Sequence, residues 1–329
     1  MVTIAEKALI AQIRRMARRA KNPAIRTGMG DDCAVLRLLS SRNKDEDSDM
    51  LVTTDFSLEG IHFRLEWHPP ESVGHRCLAR GLSDIAAMGG KPVAAFLSLA
   101  LPREAQQNWI RRFSRGLIRL ADRYGVTLAG GDTAESPNGI LADIVVVGTA
   151  PGGKAMLRSA ARPGDRIYVS GELGGSAAAL AELRKKTTRK LHPRDYPRHF
   201  FPEPRIELGH ILREKGLASA MIDTSDGLST DLAHICEESG VGAELYSEAI
   251  PRATVGKPAR QVDLRFALHG GEDYELLFTA RPSQRVPSRL AGIQITQIGQ
   301  ITRRKRISLM NRSGVRAPLE AQGWEHFRK

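Results

Sequence analysis

Aromatic residues make up only 5% of this 329-residue chain, cysteines number three, and no apolar run approaches the length of a membrane span. Cys33, Cys77 and Cys236 are an odd, scattered set without CxxC spacing. That excludes a disulfide framework and a cysteine-based zinc site, and predicts a reducing compartment. The longest apolar stretch, Val93–Leu101, is strand-sized and broken by Ser98, whereas a membrane crossing takes roughly 18–20 residues. No GxxxxGKS/T and no GxGxxG after a strand occurs, so neither a P-loop nor a Rossmann fingerprint is available to hold a nucleotide. Residues Ile4–Ala20 are basic and amphipathic. With Glu6 among them and no serine enrichment, they suit a first helix better than a transit peptide, and a cytoplasmic protein is expected.

What the chain has in excess is positive charge, +12 from 49 basic and 37 acidic residues. The basic residues are spread over every segment, with only Arg303–Arg306 as a compact cluster and few aromatics between them. That pattern describes a solvated surface that steers polyphosphate ligands, not a nucleic-acid interface. The length is about twice that of an ordinary domain, so two are expected, 1–151 and 152–329, divided near Pro151-Gly152-Gly153. Periodicity predicts a helix over 3–20, strands Ala34–Leu39 and Met50–Thr54 joined by an exposed loop Ser40–Asp49, a helix over Glu71–Met88 and strand Val93–Leu101. A helix over 103–123, opened by Pro102, and strands Thr127–Leu128 and Ala142–Thr149 complete the first half.

The second half reads as strand Arg166–Ser170, an irregular connection Leu191–Pro204 with four prolines, helix 205–215 and strand Ala220–Ile222. Helix 227–239, strand Ala243–Tyr246, helix 256–268, strand Tyr274–Thr279 and a terminal strand pair near 295–310 follow. Strands and helices alternate in both halves, which predicts an α/β fold of α+β type.

Short acidic turns are expected at five places: Gly30-Asp31-Asp32, Thr53-Thr54-Asp55, Ser83-Asp84, Gly130-Gly131-Asp132-Thr133 and Asp223 to Asp226. Each sets a carboxylate beside a hydroxyl or a glycine at the edge of an apolar segment. Taken singly, such an aspartate serves as well as a helix cap or turn residue. Brought together they would repel and raise each other's pKa, and hard divalent cations such as Mg²⁺ relieve that, since they prefer oxygen ligands. Gly171-Glu172-Leu173-Gly174-Gly175-Ser176 before an alanine-rich helix reads either as an anion site or as a plain strand–helix turn.

The blocks GMGDDCAVL, TTDFSLEGIHF, LSDIAAMGGKP, LAGGDT, MIDTSDGLSTDLAHI and HGGEDYELLFT, in this order from Gly28 to Thr279, resemble the motif series of the thiamine-monophosphate kinase family. That family is related to aminoimidazole ribonucleotide synthetase and selenophosphate synthetase. Thr224, where the family often has an aliphatic residue, and the stretch HFFPEPR depart from its pattern. The resemblance implies transfer of the ATP γ-phosphate to thiamine monophosphate. It implies an N-terminal mixed-sheet domain pairing into a homodimer and a C-terminal α/β sandwich. It makes Asp32, Thr53, Thr54, Asp55, Asp84, Asp132 and Asp223 magnesium ligands, with Asp226 on a further cation. Tyr124, Gly131, Asp132, Arg158 and Ser225 would contact ATP, and His62, Glu272 and Trp324 would contact thiamine monophosphate.

The chemistry agrees. A phosphate monoester, with its second pKa near ~6, is largely dianionic at neutral pH and is already a nucleophile. Transfer then needs positioning and neutralisation, not a general base. No Ser-His-Asp or Cys-His arrangement is evident, and His75, His192, His199 and His210 receive no role. Competing readings are a sister synthetase making selenophosphate, for which Cys33 is the only nearby thiol, one closing the aminoimidazole ring, and a non-catalytic nucleotide- or RNA-binding protein.

Overall fold

The computed structural model describes residues 6–17, 22–38, 47–185 and 191–325. After helix α1 (Glu6–Ala17) the chain builds a six-stranded sheet from β1 (Ile25–Thr27), β2 (Ala34–Leu38), β3 (Ser48–Leu58), β4 (Lys91–Leu101), β5 (Thr127–Glu135) and β6 (Leu141–Pro151). Their order is β1-β2-β3-β6-β4-β5. All neighbours are antiparallel except β4 and β5. Helix α2 (Pro70–Ala87) precedes β4, and α3 (Gln107–Tyr124) makes the crossover that the parallel pair requires.

A second sheet is formed by β7 (Arg166–Ser170), β8 (Ala220–Asp223), β9 (Gly242–Tyr246), β12 (Leu276–Ala280), β13 (Arg289–Leu290), β14 (Ile293–Thr302), β15 (Ile307–Met310) and β16 (Arg316–Pro318). The strands run β16-β15-β9-β14-β7-β12-β8, with β13 against β14. A small ribbon of β10 (Thr254–Val255) and β11 (Arg260–Gln261) stands apart. The helices of this half are α4 (Gly175–Leu183), α5 (Pro197–Phe200), α6 (Ile206–Glu214), α7 (Leu228–Ser239) and α8 (Leu264–His269). Among the described residues no helix is long and apolar enough to cross a membrane.

Helix α2 is buried on nearly every side, whereas α3 buries one stripe through Phe113, Gly116, Leu117 and Leu120. The difference follows from their surroundings. α2 lies between the first sheet, α3, α6 and β8, and a helix enclosed this way needs small or apolar residues all round. A Cβ on Gly74 would stand 2.0 Å from the Phe113 carbonyl oxygen, and one on Gly116 would stand 2.0 Å from that of Glu71. The two helices therefore meet backbone to backbone.

Among the described residues the first sheet is covered on one face only. In β3, Leu51, Thr53, Asp55 and Ser57 face α2, while Val52, Thr54 and Phe56 face away. Phe56 and Phe96 stand exposed on the uncovered face, and every residue of the edge strand β5 is exposed.

Several expectations are corrected. Thr54-Asp55 lies inside β3, and LAGGDT is part of strand β5, so neither is a turn. Asp49, expected in an exposed loop, is buried, accepting from Arg26 Nε at 2.5 Å and from the Gly153 N–H at 2.6 Å. The rest of that loop expectation, like the ends of helix 3–20, falls mostly outside the described residues. α3 starts at Gln107 because Pro102 to Ala105 closes a turn of its own. Leu191–Pro204 is not irregular throughout: Pro193 and Pro197 open short helical turns, at a position where a missing N–H costs nothing. Of helix 256–268 only α8 forms, started by Asp263 accepting from the Arg265 N–H, while the preceding residues make the β10–β11 ribbon. The terminal strands β14 and β15 do not pair with each other, because β9 lies between them.

Gly116→Ala should force α2 and α3 apart and destabilise the protein by about 1–3 kcal/mol. Thermal unfolding checks this: a melting temperature equal to that of the unsubstituted chain would contradict backbone contact between the helices.

Candidate functional site

Helix α2 carries Arg76, Arg80, Ser83 and Asp84 at helical spacing. Three other segments meet these polar groups, the two arginines sharing one of them. The Thr53 hydroxyl donates to Asp84, and Ser83 Oγ donates to Asp223 at 2.5 Å, tying α2 to the end of β8. Asp32, in the turn after Gly30, takes Arg158 through Nη2 at 2.5 Å and Nε at 3.3 Å. The outcome is a triad in which one oxygen each of Asp32, Asp84 and Asp223 lies within 4.8 Å of the others.

That proximity has an electrostatic cost. Burial, then the charge of Asp32, pushes Asp223 up to about 8. Burial, then Asp55 and Asp223, holds Asp84 well above the ordinary carboxylate range. Burial raises Asp55 and Asp226 to about 6 and Asp31 to about 7. Asp55 Oδ2 is buried with no hydrogen-bond partner among the described residues. Short carboxylates, an orphaned oxygen and nearby hydroxyls form a hard oxygen set that fits Mg²⁺.

Beside the triad, Arg76 Nη2 and Arg80 Nη2 both donate to Glu272 Oε1, at 2.7 and 2.6 Å. Burial alone would raise the Glu272 carboxyl, but the two guanidiniums hold it well below its usual value. Glu272 adopts a φ of 65°, a strained conformation for a residue with a side chain, and its N–H donates to the Ser225 carbonyl at 2.8 Å. A cleft of about 920 Å³ opens over these groups. Asp55, Asp84, Asp223 and Asp226 line it, together with Ile61, Leu180, Phe266 and Trp324. His62 also lines it, its Nδ1 accepting the Leu58 N–H at 3.0 Å.

The structure thus brings Asp32, Thr53, Asp55, Asp84, Asp223, Asp226, Arg158, Ser225, His62, Glu272 and Trp324 to the triad, the cleft or its adjoining side pocket. Thr54 borders the cleft, yet its hydroxyl donates to Asp143 at 2.7 Å on the uncovered face of the sheet. Tyr124, Gly131 and Asp132 do not line the cleft of this chain. Tyr124 donates to the Pro204 carbonyl at 2.9 Å, and Asp132 accepts from the Thr133 N–H.

Sequence reasoning missed Arg76 and Arg80. The available signal was their four-residue spacing, which continues to Asp84 along the helix. The anion-site alternative at α4 is answered by Asp273, which accepts from the N–H groups of Gly174 and Ser176 at 2.5 and 3.2 Å. His199, given no role, is buried with Nε2 3.0 Å from His68 Nε2 and Nδ1 2.9 Å from Ser176 Oγ. Burial lowers both imidazoles, so this pair is neutral near pH 7. His75 Nε2 donates to the Pro202 carbonyl at 2.7 Å.

The sign of the Asp223 shift fixes a pH dependence. A carboxyl raised from 3.8 to about 8 contributes stability that is whole below its unfolded value and is lost as pH climbs through 8. Metal-free protein should melt lower at about pH 8.5 than at about pH 6. Asp223→Asn should flatten that slope and raise the melting temperature at the higher pH by ~2–5 °C, with turnover abolished. Calorimetry with chelator present decides it, and an unchanged slope would contradict the assignment.

Residues 30–150 match the N-terminal domain, and residues 162–311 the C-terminal domain, of the AIR synthase related protein family. The chain is 38% identical to the thiamine-monophosphate kinase of Salmonella typhimurium over 92% of each chain. With that of Bacillus subtilis it shares 32% identity over 93% of this chain and 94% of the relative. Among solved structures, AaThiL complexed with AMPPCP and TMP aligns with a TM-score of 0.82 and 31% identity, covering 98% of this chain and 97% of the other. The thiamine-monophosphate kinase of Stenotrophomonas maltophilia aligns with a TM-score of 0.72 and 34% identity, over 93% and 96% of the two chains. Escherichia coli HypE, at 18% identity and a TM-score of 0.69, shares the fold. On sequence and structure together, the chain belongs to the thiamine-monophosphate kinases of the AIR synthase related family.

Proposed function

We propose that the chain transfers the γ-phosphate of ATP to thiamine monophosphate in the cytoplasm, giving thiamine diphosphate and ADP, with Mg²⁺ on the aspartate set. The observation that carries this reading is the carboxylate triad, of which Asp84 and Asp223 line a cleft that apolar and aromatic side chains also line. A relative complexed with AMPPCP and TMP supports the same pair of ligands. Bound there, Mg²⁺ would neutralise charge and hold two phosphate-bearing molecules in line. Asp32, Asp84, Asp223 and Asp55 are the residues that would hold it, with Asp226 on a further cation.

The chain's own groups do the remaining work. Arg158, fixed by Asp32, presents a cation beside the carboxylates. Glu272, kept ionised by Arg76 and Arg80, offers a fixed negative charge in the cleft for a cationic acceptor ring. Trp324 and Phe266 supply the apolar wall, and His62 lines the same cleft. The acceptor phosphate needs no base, so transfer runs directly without a phosphoenzyme. The selenophosphate alternative is disfavoured, because burial and then Asp84 push the Cys33 thiol well up, the reverse of an activated thiolate.

The reading divides the chain into 1–151 and 152–329 and pairs two copies through the uncovered face of the first sheet. Exposed Phe56 and Phe96 favour that face. On it, Asp132 lies level with Ser98 and Asp143. Gly131 and Asp132 then enter as contributions to a neighbouring copy's site, while Tyr124 is assigned to the nucleotide by resemblance alone.

Thiamine monophosphate should be phosphorylated only with ATP and Mg²⁺, and unphosphorylated thiamine should be a poor acceptor. A better rate with thiamine overturns the substrate assignment, and γ-label trapped on protein by rapid quench overturns direct transfer. Mixing inactive Asp84→Asn and Asp132→Asn chains should restore activity to roughly a quarter of the unsubstituted level, since only mixed dimers regain one intact site. No recovery after subunit exchange would remove Asp132 from the neighbour's site.

A further inference from the structure

The chain near its C-terminus reaches the cleft by a route that neither composition nor motif order suggests. Residues 322–324 have no regular secondary structure, yet three successive N–H groups are taken up by the first turn of α7 and the residue Asp226 just before it. The Gln322 N–H donates to Ser229 Oγ at 3.4 Å, the Gly323 N–H to Thr230 Oγ1 at 3.0 Å and the Trp324 N–H to the Asp226 carbonyl at 3.0 Å. The approach is close enough to exclude a side chain: a Cβ on Gly323 would stand 2.1 Å from the Asp226 oxygen and 2.5 Å from Thr230 Oγ1.

Trp324 is delivered by this contact to the edge of both the main cleft and the smaller pocket beside Arg158 and Asp231. The residue remains 46% exposed, so its own burial is a weak anchor. Chain ends without such ties fray. The same residue that faces the cleft through its carboxylate, Asp226, therefore holds the segment through its backbone.

We propose that Thr230 and Gly323 are positioning residues. They latch the C-terminal segment onto α7, so that Trp324 forms the apolar wall for the acceptor's ring at a fixed distance from Asp226. This rests on the reading of the acceptor as thiamine monophosphate. Thr230 borders the smaller pocket and not the main cleft, and it reaches the acceptor's wall through the Gly323 amide.

The test uses the full chain with Trp67→Phe and Trp109→Phe, leaving Trp324 as the sole indole. Thr230→Val, which keeps shape and removes the acceptor, should raise acrylamide quenching of Trp324 about twofold. It should also raise KM for thiamine monophosphate about three- to tenfold, the range set by one lost hydrogen bond. The KM for ATP and kcat should stay within about twofold, and Thr230→Ser should restore both readouts. In a Trp324→Leu background, Thr230→Val should add no further change in KM. Unchanged quenching, an equal loss of ATP affinity, or an additive penalty in that background each overturns the latch. If the unsubstituted chain fails to phosphorylate thiamine monophosphate while the quenching changes as expected, the substrate reading falls and the latch stands.

Discussion

Three carboxylates that repel each other, sealed inside a fold, are the constraint on which the rest depends. At 4.8 Å and an effective dielectric of about 20, two like charges repel by on the order of 3 kcal/mol. A whole protein is stable by only about 5–15 kcal/mol. The ionised triad is therefore affordable only with cations nearby. Arg158 offsets Asp32, and the hydroxyls of Thr53 and Ser83 satisfy Asp84 and Asp223 without neutralising them. The structure leaves uncancelled negative charge where divalent cations can cancel it.

Holding that charge in place falls to α2. Its apolar surface is buried against the first sheet and α3, and its charged stripe sits between the two sheets. Ser83 reaches β8, and Arg76 and Arg80 reach Glu272 just before β12. Those two arginines show how strongly context decides a side chain's state: the paired guanidiniums keep Glu272 charged although burial pushes the other way, while Asp273 beside it, buried against backbone amides, rises to about 7.

Much of this was legible in the sequence because it is local. The aspartates sit beside hydroxyls or glycines in short motifs, and motif order carries family membership. α2, β4, β7 and α7 follow from periodicity to within a residue or two. What the sequence hid is non-local. Whether Thr54-Asp55 is a turn or mid-strand depends on β6 pairing the full length of β3. The role of His199 depends on His68, 131 residues away, and the state of Glu272 on arginines 196 and 192 residues away. The failure of helix 256–268 is different: a glycine, a proline and a capping aspartate were visible, and the apolar spacing outweighed them.

The backbone contacts of α2 also bear on how ligands come and go. A Cβ on Gly209 of α6 would stand 2.0 Å from the Ala86 carbonyl, a second such weld beside those of Gly74 and Gly116. A clamshell opening about the middle of the molecule would have to break these backbone contacts of α2 with elements of both halves. Passage over the rim of the cavity leaves them intact.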